Sequence, residues 1–151
     1  MTKELKPKFV VDSCVYIAAL DKDEPHHEQS FQFFEVIKRN QYRLFAPVIL
    51  KLEIENNFRK RARNDATKDI LETGNFETIL IYMDEKFIRI YEKTMLDLPY
   101  GKTLDHLYAT VAKHNNSPVI TWNKKDFEKY QDMFIMTPAE FITSSYNKGE
   151  I

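Results

Sequence analysis

Four acidic residues stand where apolar runs give way to helical patterns: Asp12, Glu53, Asp105 and Asp126. Asp12 closes the run Phe9-Val10-Val11, and Asp126 follows Pro118-Val119-Ile120-Thr121-Trp122-Asn123. Glu53 and Asp105 fall in the first turns of segments with strongly apolar faces. In an open α/β sheet the carboxyl ends of the strands form the ligand crevice, and three of these four contexts point to the same edge of one sheet. Gathered carboxylates repel one another. A pair at about 4 Å costs on the order of 4 kcal/mol at an effective dielectric of about 20. A divalent cation relieves that repulsion, and an all-oxygen donor set suits Mg²⁺ or Mn²⁺.

The elements that must carry these acids are legible in outline. Residues 8–11 read as a short buried strand, followed by a helix over Ser13–Leu20. The segment from His26 to Asn40 places Phe31, Phe34 and Ile37 at helical spacing, with Phe33 beside them. Arg43–Ala46 reads as a second strand, and Pro47 suits the start of a helix toward Arg63 with Leu50, Ile54 and Phe58 on one stripe. A short helix around Thr67–Leu71 ending at Gly74, then a strand over Phe76–Met83, come next. Asp84 is a good N-cap for a helix through Leu98 whose apolar face is Phe87, Ile88, Tyr91 and Met95. The Asp105 helix is expected to bury Leu104, Leu107, Tyr108, Val111 and Ala112. A strand at Val119-Ile120, a short helix near Lys125–Tyr130 and a last strand at Phe134–Met136 follow. Thr137-Pro138-Ala139-Glu140 is a capping box with Pro at the first helical position. Alternation of strands and helices predicts a parallel α/β sheet. The expectation is a single domain over 1–151, with its core at about 8–142 and a loose tail over 144–151.

Composition narrows the chemistry. With 43% hydrophobic and 30% charged residues, the 151-residue chain reads as a water-soluble globular domain. Its 3 glycines form neither GxxxxGK[ST] nor GxGxxG, which excludes those phosphate-cradling loops. Cys14 is the single cysteine, so no internal disulfide forms, and His106 and His114 do not make HxxxH or HExxH. A charged N-terminal segment and the lack of a membrane-length apolar run lead to the expectation of a cytoplasmic protein without a membrane partner. The net charge of −1 is not that of a generic nucleic-acid binder. Positive charge is nonetheless concentrated at Arg59, Lys60, Arg61 and Arg63, and again at Lys124, Lys125 and Lys129, which gives local positive potential to either a solvated face or a surface for a polyanion.

The segments Phe9-Val10-Val11-Asp12-Ser13, Ala46-Pro47-Val48-Ile49-Leu50-Lys51-Leu52-Glu53-Ile54-Glu55-Asn56, Leu104-Asp105-His106-Leu107-Tyr108-Ala109 and Val119-Ile120-Thr121-Trp122-Asn123-Lys124-Lys125-Asp126-Phe127 occur in that order over residues 8–142. Together they resemble the PIN domain, a family of metal-dependent nucleases that includes the VapC-type toxins of toxin–antitoxin pairs. The resemblance implies a PIN-like three-layer α/β/α sandwich with a central, mostly parallel sheet. It implies catalytic acids at Asp12, Glu53, Asp105 and Asp126, with Mg²⁺ or Mn²⁺ held chiefly by Asp12 and Asp105. The fourth site residue falls either at Asn123 or at Asp126. Ser13, Asn56, Thr121 and Asn123 are candidates for substrate contact or for orienting the acids, with Asn56 sharing the helix face of Glu53. The implied activity is metal-dependent hydrolysis of RNA phosphodiesters, with RNA as substrate and an antitoxin protein as partner. Apolar residues on the 26–40 and 47–58 helices are candidates for a homodimer contact or an antitoxin contact. The alternative is a non-catalytic PIN module that binds RNA or a protein. Two other strand-Asp enzymes lose specific residues here. A haloacid-dehalogenase-type phosphatase needs Asp where Cys14 stands, and a receiver domain needs Lys after a last strand that Thr137-Pro138 follows.

Overall fold

The structure, a computed structural model, describes residues 5–60, 78–99 and 101–149. Five strands form one parallel sheet: β1 (Lys8–Val11), β2 (Arg43–Pro47), β3 (Thr78–Ile81), β4 (Val119–Ile120) and β5 (Ile135–Met136). Between and after them lie α1 (Ser13–Leu20), α2 (His27–Asn40), α3 (Ile49–Lys60), α4 (Glu85–Asp97), α5 (Thr103–His114), α6 (Lys124–Phe127), α7 (Pro138–Thr143) and a 3₁₀ turn at Ser145–Lys148. The strand order is β3-β2-β1-β4-β5. The chain therefore builds outward from β1 to β3, then crosses back to lay β4 on the other side of β1. The gap between the carboxyl ends of β1 and β4 is the point where the winding reverses, and such points open a crevice.

β1 is the central strand and is covered on both faces, which is why Phe9, Val10 and Val11 form an unbroken apolar run with no exposed surface. On one side α1 packs on α2 and α2 on α7; elsewhere α5, backed by α4, lies against β1, β2 and β4. Register fixes the site directly. Val11 lies opposite Ile120, the Asp12 N–H donates to the Ile120 carbonyl at 2.9 Å, and the Thr121 N–H donates to the Met136 carbonyl at 2.9 Å. Asp12 and Thr121 are thus the first residues beyond two neighbouring strands. Among the described residues no helix is long and apolar enough to cross a membrane.

Several local expectations are revised. Pro47 belongs to β2, opposite Ile81, and the helix starts at Ile49; the missing Pro N–H is harmless at a strand end, where the Val48 N–H takes the Ile81 carbonyl instead. On α2 the buried stripe is Ser30, Phe33, Phe34 and Ile37, while Phe31 faces solvent. Ile88 on α4 and Leu104 on α5 are likewise exposed, so their stripes are narrower than the apolar pattern predicts. The expected helix at 67–71, and residues 76 and 77 of the expected third strand, lie outside the described residues, as do Arg61 and Arg63.

The end of the chain is not a loose tail up to residue 149. Tyr146 meets Phe9 edge-on at 5.0 Å and stacks on Phe141 at 5.6 Å. The Tyr42 hydroxyl donates to the Tyr146 carbonyl at 2.8 Å, and Arg39 donates to the Asn147 carbonyl at 2.7 Å. One aromatic ring placed under β1 outweighs the polar composition that suggested a free end.

Candidate active site

Asp12 is the hub. It caps α1 from an extended backbone, and its Oδ1 accepts the Ser13 N–H at 2.8 Å. Its Oδ2 accepts the Thr121 hydroxyl at 2.9 Å and lies 3.4 Å from the Cys14 thiol. Thr121 is itself held, because its Oγ1 accepts the Asn123 N–H at 3.0 Å. A chain of donors therefore runs from the loop after β4, across the reversal point, onto a carboxylate that is only 7% exposed. Burial raises the Asp12 pKa above the usual carboxylate value, the three donors oppose the rise, and the charge of Asp126 adds to it. Burial pushes the Cys14 thiol up as well, with the Asp12 charge acting in the same sense, so Cys14 is a packing and donor group rather than a nucleophile.

Glu53 enters from α3. Leu50, Ile54 and Phe58 recur every four residues and anchor that helix in the core, which leaves Glu53 at the edge of the buried stripe. Its Oε2 accepts the Ser13 hydroxyl at 3.2 Å and its Oε1 accepts the Tyr108 hydroxyl at 2.7 Å. Ser13 thus links two acids, giving its N–H to Asp12 and its hydroxyl to Glu53. Burial raises the Glu53 pKa, the Tyr108 bond opposes this, and the charges of Asp12 and Asp105 raise it further.

Asn56 does not orient Glu53. It is exposed and contributes no hydrogen bond to the carboxylate. At about 100° per residue it lies some 200° around the helix from buried Ile54, which turns it to solvent. Its neighbour Asn57, one turn beyond Glu53, has a buried Oδ1 with no hydrogen-bond partner among the described residues.

Asp105 lies in the first turn of α5, where the helix dipole favours a carboxylate. It is partly buried, and its pKa is raised by burial and by the charges of Asp12 and Asp126, against the pull of Lys102 and Lys129. Asp126, in the first turn of α6, acts electrostatically on both Asp12 and Asp105. Asn123 is exposed at the start of α6 and contributes its backbone N–H to Thr121, not its side chain. Of the two candidates for the fourth position, Asp126 is the one whose charge reaches the other acids.

Tyr108 was legible only as core. It has no exposed surface, yet its hydroxyl is a direct partner of Glu53, and burial with the charges of Glu53 and Asp12 raises its pKa well above the usual phenol value. The signal was its spacing: Tyr108 follows Asp105 by three residues, which puts both on one helix face. Arg59, by contrast, turns to Glu55 in an exposed pair at 2.7 Å, and Lys60 is exposed at the end of α3.

Among the described residues no ion pair reaches the four acids, and no three His, Cys, Asp or Glu side chains stand close enough together to hold one metal ion as they are. The donor type nonetheless fits a hard cation. The groups are carboxylates at one sheet edge, three of them feel the charge of at least one other acid of the group, and Mg²⁺ is ordinarily held by one or two carboxylates with water completing its shell.

This fold agrees with the comparison to protein families. The PIN domain matches residues 9–133, and the chain belongs to that family. Three solved structures share the fold. VapBC2 from Rickettsia felis, bound to a DNA fragment from its promoter, has 16% identity and a TM-score of 0.65, over 86% of this chain and 98% of that one. DNA-bound VapBC from Salmonella typhimurium has 18% identity and a TM-score of 0.63, over 87% and 98%. VapBC-1 from nontypeable Haemophilus influenzae has 17% identity and a TM-score of 0.58, over 87% and 98%. No curated protein matches the chain.

Proposed function

We propose that this PIN domain is a divalent-metal-dependent endoribonuclease and the toxin of a type II toxin–antitoxin pair. The observation that carries the reading is the carboxylate group at the reversal point: Asp12, Glu53 and Asp105 each have a raised pKa, chiefly from burial and partly from the charge of another acid of the group, and no described basic side chain forms an ion pair with them. Holding such groups ionised costs stability unless a ligand repays it. Mg²⁺ or Mn²⁺, taken chiefly by Asp12 and Asp105, would supply the Lewis acidity that activates water near neutral pH and offsets charge on the phosphate.

The chain's own residues have distinct tasks in this reading. Thr121, Ser13 and Cys14 fix the Asp12 carboxylate by donating to it, which prepays the ordering of the hub. Glu53, clamped by Ser13 and Tyr108, is placed to accept a hydrogen bond from water and orient it. Asp126 adds negative charge that favours the cation. Lys102 and Lys129, close enough to bias Asp105, are suited to the RNA backbone on that flank. Likeness to VapBC assemblies supports a small protein partner for this chain as well.

The deciding experiment is RNA cleavage by purified protein with Mg²⁺ or Mn²⁺ and with excess EDTA. Cleavage is expected only with the metal, and Asp12→Asn and Asp105→Asn are each expected to abolish it in protein whose circular dichroism is unchanged. Cleavage that persists in EDTA, or in both variants, refutes the metal-nuclease reading. RNA binding without any turnover supports the non-catalytic module instead.

A further inference from the structure

The loop that carries Thr121 also carries the chain's single tryptophan, and that residue is built into an unusual pair. The Trp122 indole and the His26 imidazole lie face to face, with centroids 3.9 Å apart and planes within 11° of parallel. Trp122 is held at both ends. Its indole N–H donates to the Ser30 hydroxyl at 2.8 Å, on a serine with no exposed surface, and its backbone N–H donates to Cys14 Sγ at 3.4 Å. That same sulfur lies 3.4 Å from Asp12 Oδ2. The pair is therefore fixed, and only two contacts separate the Trp122 backbone from the hub of the acid group.

His26 itself is exposed, although one face of its ring is covered by Trp122. It precedes α2 but makes no side-chain capping bond there, so helix capping does not explain its placement. An exposed flat ring backed on one face by another is a surface for a further flat ring. We propose that the His26–Trp122 pair is a stacking platform for a nucleobase of single-stranded RNA adjacent to the phosphate at the acids, an inference that rests on the ribonuclease reading above. Single-stranded RNA is recognised largely by stacking of unpaired bases on aromatic side chains, histidine included. Asp23 and Glu28, exposed and close to His26 in the sequence, disfavour phosphate on this segment but leave an uncharged base unaffected. Because Trp122 is already immobilised, little ordering remains to be done on binding.

The test uses short single-stranded RNA oligonucleotides with one abasic position moved along the strand, measured in the wild-type protein with Ca²⁺ in place of Mg²⁺ to suppress turnover. At one strand position near the bound phosphate, removing the base is expected to weaken binding about 5- to 150-fold, the range for one stacked base. Adding His26→Ala should weaken binding of intact RNA by a similar factor and abolish the abasic effect at that position. Adding His26→Phe should preserve both affinity and the abasic effect. The salt slope should be the same in all three proteins, because no phosphate contact is removed. The lone tryptophan gives a direct signal: RNA should change Trp122 fluorescence in the parent and much less in the His26→Ala protein. Parent-like affinity or an unchanged abasic pattern in His26→Ala overturns the platform, as does RNA that does not bind at all. Wild-type cleavage separates the two readings. Cleavage with an unchanged abasic pattern sinks the platform alone, and an abasic effect lost with His26→Ala but without cleavage sinks the nuclease alone.

Discussion

The Tyr108–Glu53 bond offers the sharpest test of how the site is assembled. Tyr108→Phe removes a donor that is 2.7 Å from Glu53 Oε1 and leaves the ring in place, so no cavity term enters. A hydrogen bond to a charged group contributes about 1.5–3 kcal/mol, and water reaching the partly exposed Glu53 recovers some of that, which leaves about 1–2 kcal/mol. For a chain of this length 1 kcal/mol moves Tm by roughly 2–4 °C, so a fall of about 2–8 °C is expected in differential scanning calorimetry of the metal-free protein. The control is the same change in a Glu53→Met background. There the acceptor is gone, the buried hydroxyl has lost its partner, and Tyr108→Phe should be neutral or stabilising. The Tyr108 bond is also the largest influence opposing the rise of the Glu53 pKa, so its removal should raise that pKa further and move the rise of cleavage with pH to higher pH. An equal cost in both backgrounds would refute the bond as the link between α5 and α3.

Other outcomes follow from the same electrostatics. Because burial and like charge raise the folded-state pKa values of Asp12, Glu53 and Asp105, their ionisation opposes folding; stability of the metal-free protein should rise as pH falls through these raised pKa values toward the ordinary carboxylate range, by urea titration. Asp105→Asn should stabilise the metal-free protein slightly, by no more than about 1 kcal/mol for this partly exposed group, and should lose most of the Tm gain that Mg²⁺ gives the wild type. Asp126→Asn should lower cleavage much more than Asn123→Ala; full turnover in Asp126→Asn would make that residue an ordinary helix-start acid. Replacing Arg59 and Lys60 should flatten the salt dependence of RNA binding by about 0.7 log-log units per lost contact, and an unchanged slope would leave them as solvated charges. Expression of the wild-type chain alone should arrest growth, Asp12→Asn should relieve it, and a harmless wild type would remove the toxin role.

What the sequence made legible and what it hid divide along physical lines. β1 was readable because a central strand buried on both faces must be apolar throughout, and Asp12 was readable because it ends that run. The order of the four acidic segments was enough to expect a PIN fold, and the family match over 9–133 agrees. Stripe positions such as Phe31, Ile88 and Leu104 were misread because apolar spacing marks a helix face without telling which edge of that face is covered. Asn56 was misplaced and Tyr108 overlooked for one reason: both depend on the angle at which a helix docks, which Leu50, Ile54 and Phe58 set for α3. Tyr146 was hidden because a single aromatic in a polar segment carries no period.

The bond from Thr121 to Asp12 spans 109 positions of the chain. During synthesis at about 5–20 residues per second, Asp12 is made roughly 5–20 s before the hydroxyl that fixes it. The Ser13–Glu53 contact comes at a separation of 40, the Tyr108–Glu53 contact at 55, and the ring that seals β1 from below is Tyr146, nearly the last residue described. No fragment that stops short of β4 contains Thr121, so a nascent or truncated chain lacks the hydroxyl that fixes the Asp12 carboxylate. The topology thus delays assembly of the acid group until β4 and the residue after it have been made.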